Sequence, residues 1–220
     1  MKLGKLNLEQ FEIQCWMDLS SSLPIEKLPP ATIHLWKINE LPPKGTSSLL
    51  ACAPLVNFYL GTGHQIQRNE NGKPIAWASD SKVHPVQFNI THTKDTFFIA
   101  FVDSFHIGID AEESTAQRPW KSLARRFYVD AEVNQIEKVD ESQQKDLFFK
   151  FWTLKESMIK CLGVSLFTGI QRAQFNVLTT PISLLTSNPE DAALQFFHFK
   201  QSHYFSIALT SLDADQSVKK

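Results

Sequence analysis

In the segment Gly108-Ile109-Asp110-Ala111-Glu112 two carboxylates stand two residues apart. Alternate side chains of a strand share a face, so Asp110 and Glu112 sit side by side there and repel. Such pairs are tolerated mostly where a hard cation such as Mg2+ takes both through oxygen; taken alone, the segment reads equally well as a solvated strand end. A second segment, Trp152-Thr153-Leu154-Lys155-Glu156-Ser157-Met158-Ile159-Lys160, sets Glu156 between two ammonium groups on an otherwise apolar helix. Glu156 and Lys160, at i,i+4, make an ordinary helical ion pair worth roughly 0.2–0.5 kcal/mol, and that is the favoured reading of this helix by itself. Next to Asp110 and Glu112 the trio has another use. One carboxylate completes a cation's shell, and two ammonium groups neutralise the oxygens of a metal-bound pyrophosphate.

A third segment, Phe88-Asn89-Ile90-Thr91-His92-Thr93, places a histidine between two hydroxyls at a strand end. That group can donate hydrogen bonds to a phosphate, or the histidine is satisfied by neighbouring backbone. Lys73, in the Gly72-Lys73-Pro74 turn, is either a further cation for such a ligand or a plain solvent-exposed charge. The chain has no GxxxxGK[ST] loop, no GxGxxG, no HExxH and no GxSxG elbow.

The elements that must carry these residues follow from periodicity and breakers. A strand is expected over 31–37, and a helix from Ser47 or Ser48 to Gly61 that Pro54 bends or divides. A turn falls at 71–74 and a strand at 86–90, and 96–102 with 106–111 forms a hairpin. Helices follow over 117–127, 131–136 and 143–162, the last stopped by Gly163. Strand character returns over 167–177 and 194–209. The resulting class is mixed α/β (α+β).

Gln87-Phe88-Asn89-Ile90 is echoed by Gln174-Phe175-Asn176-Val177, Phe98-Ile99-Ala100-Phe101 by Ser206-Ile207-Ala208-Leu209, and Leu60-Gly61 by Leu162-Gly163. These echoes suggest two similar sheet-and-helix lobes, an N-terminal one over 1–104 and a C-terminal one over 105–220 that carries the acidic motifs. The 220 residues are 43% hydrophobic and 20% charged, with 8 Gly and 11 Pro, which excludes collagen-like, low-complexity and wholly disordered chains. Lys plus Arg number 22 and Asp plus Glu 23, a formal charge of -1, so no global field favours nucleic acid or an anionic membrane, and any binding patch is local. Cys15, Cys52 and Cys161 lack CxxC spacing, the first thirty residues lack a signal layout, and no run approaches the roughly 20 apolar residues of a spanning helix. A soluble, cytoplasmic protein is expected.

In order and spacing, Gly72-Lys73-Pro74, Phe88-Asn89-Ile90-Thr91-His92, Gly108-Ile109-Asp110-Ala111-Glu112 and Trp152 to Lys160 resemble the 4'-phosphopantetheinyl transferases of the surfactin-synthetase-activating type. Arg126-Phe127-Tyr128 with Glu132 is similar to that family's connecting segment, and the likeness extends from about Ile33 to Val177. The resemblance implies two similar α/β lobes in a pseudo-twofold arrangement with the active site between them. It also implies transfer of 4'-phosphopantetheine from coenzyme A, the co-substrate, to a serine of an apo acyl or peptidyl carrier protein, with Mg2+ as cofactor and 3',5'-adenosine bisphosphate as the second product. On that reading Asp110, Glu112 and Glu156 hold the metal, and Lys155 and Lys160 neutralise charge as the phosphodiester bond breaks. His92 with Thr91 contacts the 3'-phosphate, and Lys73 and Pro74 border the nucleotide. Glu156 is the expected base, directly or through a metal-bound water.

Family members commonly carry an Arg at the start of the first-half helix, where this chain reads Thr46-Ser47-Ser48-Leu49-Leu50. Ser48 offers a hydroxyl there, and Lys44 a charge from the preceding loop. Carrier proteins tend to be acidic, and Arg118, Lys121 and Arg125 share one helical face as a candidate docking patch. Family precedent favours a monomer. Two other readings use the same residues: a catalytically silent coenzyme A or nucleotide-binding protein, and a Mg2+-dependent pyrophosphohydrolase.

Overall fold

The computed structural model describes residues 2–8, 11–17, 28–38, 47–186 and 188–212. In chain order they form β1 (Lys2–Leu8), β2 (Phe11–Met17), β3 (Thr32–Ile38), α1 (Ser48–Ala51), α2 (Ala53–Leu60), β4 (Gln65–Arg68), β5 (Pro74–Trp77), β6 (Val86–His92), β7 (Phe97–Asp103) and β8 (Phe105–Glu113). Then come α3 (Trp120–Phe127), α4 (Asp130–Glu137), α5 (Glu141–Leu162), α6 (Leu166–Arg172), β9 (Phe175–Asn176), β10 (Ser183–Leu184), a 3-10 turn (Pro189–Ala193), β11 (Gln195–Lys200) and β12 (His203–Ser211). The protein is mixed α+β. It divides into two compact units, residues 1–107 with 211–220 and residues 108–210.

The first unit holds a five-stranded sheet in the order β1-β2-β3-β7-β6, antiparallel except for the parallel β2/β3 pair. The Pro54 breaker divides the expected helix: α1 ends at Ala51, and α2 begins at Ala53 with the proline in its first turn, where no donor is lost. Leu55, Val56, Tyr59 and Leu60 bury one face of α2 on Trp36, Phe88, Ile99 and Phe101 of the sheet. Tyr59 fixes that contact: its ring stacks on Phe101 with centroids 4.0 Å apart, its hydroxyl accepts from Trp36 Nε1 at 3.0 Å, and it bonds to His34 Nδ1 at 2.7 Å. The turn expected at 71–74 becomes the centre of a short β4/β5 hairpin, closed by Gly72 at φ +84°.

The second unit is built on the 22-residue helix α5, stopped by Gly163 in the left-handed conformation as expected. Phe148, Phe149, Phe151, Trp152, Leu154, Met158 and Ile159 of α5 form the core with Tyr128, Phe175 and Tyr204. The three-stranded sheet runs in the order β11-β12-β8. The apolar segment 194–209 is therefore a hairpin, β11 against β12.

The strand expected over 167–177 is corrected. Residues 166–172 form α6, and only Phe175–Asn176 are extended. Local and tertiary causes combine. Ser165 Oγ accepts from the Thr168 amide at 3.2 Å and caps the helix. A side chain at Gly169 would run into Ile159, so α6 lies tight on the last turns of α5. Two carbonyls at its C-terminal end are satisfied by a buried lysine of α5, which no local pattern reveals.

Candidate active site

Gly108, Asp110 and Glu112 alternate along one face of β8. A Cβ at Gly108 would collide with the Ser157 carbonyl and the Cys161 amide of α5. The missing side chain lets strand and helix backbones touch at that level, which sets the next residues of the same face, Asp110 and Glu112, against the turn of α5 that carries Glu156 and Lys160. Lys160 Nζ lies 2.7 Å from Asp110 Oδ1. The two segments singled out by their chemistry thus meet in space, and Lys160 turns to the strand carboxylate.

Arg118, in the loop between β8 and α3, reaches back to Glu112, its Nη2 lying 2.7 Å from Oε1 and 2.9 Å from Oε2. Its guanidinium carbon lies 6.0 Å from the centroid of the Trp152 ring. Burial pushes the Glu112 carboxyl up to about 7 against the opposing Arg118 charge, with Asp110 and Glu156 adding to the rise. Glu156 is pushed up to about 7 by burial and by Asp110, with Lys160 and Arg118 opposing. Three carboxylates and two cations form one electrostatic cluster.

Donors that are all carboxylate oxygens suit a hard divalent cation, and the mutual repulsion of Asp110, Glu112 and Glu156 is what such a cation relieves. Among the described residues no three carboxylate, histidine or cysteine side chains are gathered into a ready metal shell. Lys160 and Arg118 stand on two of the three acids instead. The chemistry of the three acids fits Mg2+.

Lys155 is not where the sequence reading expects it. Its side chain is fully buried, 2.8 Å from Glu132 Oε2, and it donates to the carbonyls of Ile170 and Ala173 at the end of α6. One residue is about 100° of helix rotation, so with Glu156 and Lys160 on the β8 side, Lys155 points into the core. It therefore acts as a structural cation that satisfies the end of α6. Glu132, whose other oxygen accepts the Phe175 amide at 2.9 Å, ties α4 to α5 and β9. Burial pushes Glu132 up and Lys155 down, and each partner opposes the other's shift.

The remaining residues of the sequence reading lie in the first unit. Lys73 and Pro74 sit at the tip and start of the β4/β5 hairpin, where Asn69 Oδ1 accepts the Lys73 amide at 2.9 Å. Thr91 and His92 point oppositely, as neighbours on a strand must: Thr91 is buried, while His92 is exposed and stacks on Phe97. The expectation that both contact one phosphate is therefore corrected, and only His92 faces outward. Ser47 spends its hydroxyl on the Leu50 amide as the N-cap of α1, leaving the half-buried Ser48 as that helix's first residue. Lys44 lies outside the described residues. Arg118 precedes α3, so the shared helical face reduces to Lys121 and Arg125. Lys121 lies 3.3 Å from Glu141.

Spacing pointed to Asp110, Glu112, Glu156 and Lys160 but not to the ion-pair partners Arg118 and Glu132. Both were visible, as an arginine in the supposed docking patch and as part of the connecting segment, yet their partners lie in other segments.

With this geometry in place, residues 106–210 match the model of the 4'-phosphopantetheinyl transferase superfamily. Among similar proteins, the L-aminoadipate-semialdehyde dehydrogenase-phosphopantetheinyl transferase of Rattus norvegicus is 28% identical over 172 residues, 69% of this chain and 55% of that protein. The 4'-phosphopantetheinyl transferase AcpT of Escherichia coli (strain K12) is 29% identical over 147 residues, 66% of this chain and 70% of its own. HetI of Nostoc sp., also a 4'-phosphopantetheinyl transferase, is 26% identical over 164 residues, 73% and 68% of the two chains. The match spans about half the length of the aminoadipate-type relatives. Among the described residues no helix is long and apolar enough to cross a membrane.

Proposed function

We propose that this chain transfers 4'-phosphopantetheine from coenzyme A to a serine hydroxyl of an apo acyl or peptidyl carrier protein and releases 3',5'-adenosine bisphosphate. The observation that carries the reading is the meeting of Asp110 and Glu112 of β8 with Glu156 and Lys160 of α5 inside the segment of superfamily likeness.

In the reaction the serine oxygen forms a bond to the β-phosphorus of coenzyme A, the bond from that phosphorus to the bridging oxygen breaks, and the hydroxyl proton leaves. Asp110, Glu112 and Glu156 are the residues to hold Mg2+, which when bound neutralises diphosphate charge. Glu156 is the candidate to take up the hydroxyl proton, through a water rather than directly, because a carboxylate held by a cation is a weak base. Lys160, on the same face, supplies a positive charge to the phosphate oxygens once it leaves Asp110. In the first unit, Lys73, Pro74, Ser48 and the exposed His92 are the candidates to contact the nucleotide.

For the carrier we assign the α3 side, an open groove of about 520 Å³ lined by Arg118, Pro119, Trp120, Lys121, Ser122 and Arg125. Lys121 and Arg125 suit an acidic partner, and Trp120 is the kind of aromatic that anchors an interface. Cys52 and Cys161 are buried and form no disulfide, which fits the cytoplasm.

The test is the intact mass of an apo carrier protein after incubation with this protein, coenzyme A and Mg2+, with an EDTA control. A Mg2+-dependent gain of one phosphopantetheine is expected, abolished by Asp110→Ala or Glu156→Ala with the fold retained. Coenzyme A binding without any gain on acyl or peptidyl carriers favours the silent binder, and cleavage of its diphosphate without transfer favours the hydrolase. Near-normal rates in either variant remove the metal assignment.

A further inference from the structure

Arg118 holds both oxygens of Glu112 with one guanidinium nitrogen, at 2.7 and 2.9 Å. Those are the two atoms an oxygen-seeking cation would need. Glu112 is mostly shielded from water, its side chain 12% exposed, while that of Arg118 is 44% exposed, so the arginine covers the open side of the carboxylate. The arginine also has somewhere else to go. The Trp152 ring is already within cation–π range, and Arg118 lies before α3 with its carbonyl accepting the Trp120 amide at 2.7 Å. Its side chain can swing while its backbone stays fixed.

We propose that Arg118 is an exchange residue: it occupies Glu112 in the metal-free protein and must be displaced when a divalent cation enters. The inference rests on the metal reading of Asp110, Glu112 and Glu156. Its consequence is competition. The observed metal affinity is the intrinsic affinity multiplied by the fraction of molecules in which Arg118 is off Glu112. Lys160 on Asp110 is a second such contact, but it comes from α5, whereas Arg118 comes from a loop and is the more exposed of the two cations.

Mn2+ binding, measured by titration calorimetry and electron paramagnetic resonance without coenzyme A, tests the exchange. Arg118→Gln is expected to bind Mn2+ about two- to fivefold more tightly than the wild type, the range set by a partly exposed arginine–carboxylate pair. Arg126→Gln removes the same charge from exposed α3 surface and is expected to leave the affinity unchanged. Equal or weaker binding by Arg118→Gln overturns the exchange, and so does an equal gain in Arg126→Gln, which would mark a bulk charge effect. The underlying reading fails separately: no Mn2+ binding by the wild type, or full binding by Asp110→Asn, removes the metal site itself and the exchange with it.

Discussion

Replacing either partner of the Glu132–Lys155 pair tests how the second unit is held together, independently of any activity. Both side chains are wholly buried and 2.8 Å apart. Glu132→Gln keeps an acceptor for the Phe175 amide but removes the charge that balances Lys155, and stranding one member of a buried ion pair costs about 3–5 kcal/mol. Glu132→Ala also orphans that amide, adding about 1–3 kcal/mol. Lys155→Met removes the ammonium from Glu132 and from two carbonyls of α6, for a loss again near 3–5 kcal/mol. For a chain of this length each kcal/mol shifts the midpoint by about 2–4 °C, so Glu132→Gln and Lys155→Met are each expected to lower it by roughly 6–20 °C, and Glu132→Ala by more. The double variant Glu132→Gln/Lys155→Met strands no charge, and its cost should fall short of the sum of the singles by about 1–3 kcal/mol. Urea and thermal unfolding are followed by fluorescence, with Trp120 and Trp152 reporting on this unit. Single costs below about 1 kcal/mol, or strict additivity, would refute the view of the pair as the node joining α4, α5 and α6.

Three further outcomes follow from the packing and charges of the same fold. A methyl at Gly108 would come 2.8 Å from Cys161 Cα, where ordinary contact begins near 3.4 Å; Gly108→Ala is therefore expected to cost about 1–3 kcal/mol and, by displacing Asp110 from Lys160, to slow transfer on the order of 100-fold. Wild-type stability and rate would show that the close approach is dispensable. His198, whose Nδ1 lies 3.0 Å from Ser206 Oγ, is pushed down to about 3 by burial and the nearby Lys150. An unfolded histidine titrates near 6.5, so between those values only the unfolded chain takes up the proton, and stability falls as pH drops below about 6.5. His198→Gln should flatten that fall, and superimposable pH profiles for the two proteins would contradict it. Charge reversal at Lys121 and Arg125 is expected to raise KM for the carrier and leave that for coenzyme A alone; unchanged carrier kinetics would take α3 out of the interface.

Elements with strong local signals were legible in the chain. The 3.6-residue period of α5, its stop at Gly163 and the Pro54 break rest on backbone preferences that act within a few residues, whereas the hairpin expected over 96–102 and 106–111 is corrected: β7 pairs with β3 and β6 and β8 with β12, a choice between sheets that no local signal carries. The β4/β5 hairpin was read only as its turn, because its strands are four residues each with little alternation. The apolar residues of the α6 segment suit either period, so its helix is not legible from periodicity. What decided it lies elsewhere: Ile159 packing on Gly169, and the Lys155 ammonium closing the C-terminal carbonyls.

The site divides the same way. Sequence alone determined which residue types stand at fixed spacing on one strand and one helix, because the periods of 2 and 3.6 are properties of the backbone, and that placed Asp110 with Glu112 and Glu156 with Lys160. Only the tertiary structure decided their partners. It sent Lys160 to Asp110 and Arg118 to Glu112, turned Lys155 inward to Glu132, and set His92 outward while Thr91 is buried. An ion pair between distant segments depends on which backbones approach. Here that approach is set by one absent side chain, Gly108, whose reason appears only when α5 lies against it.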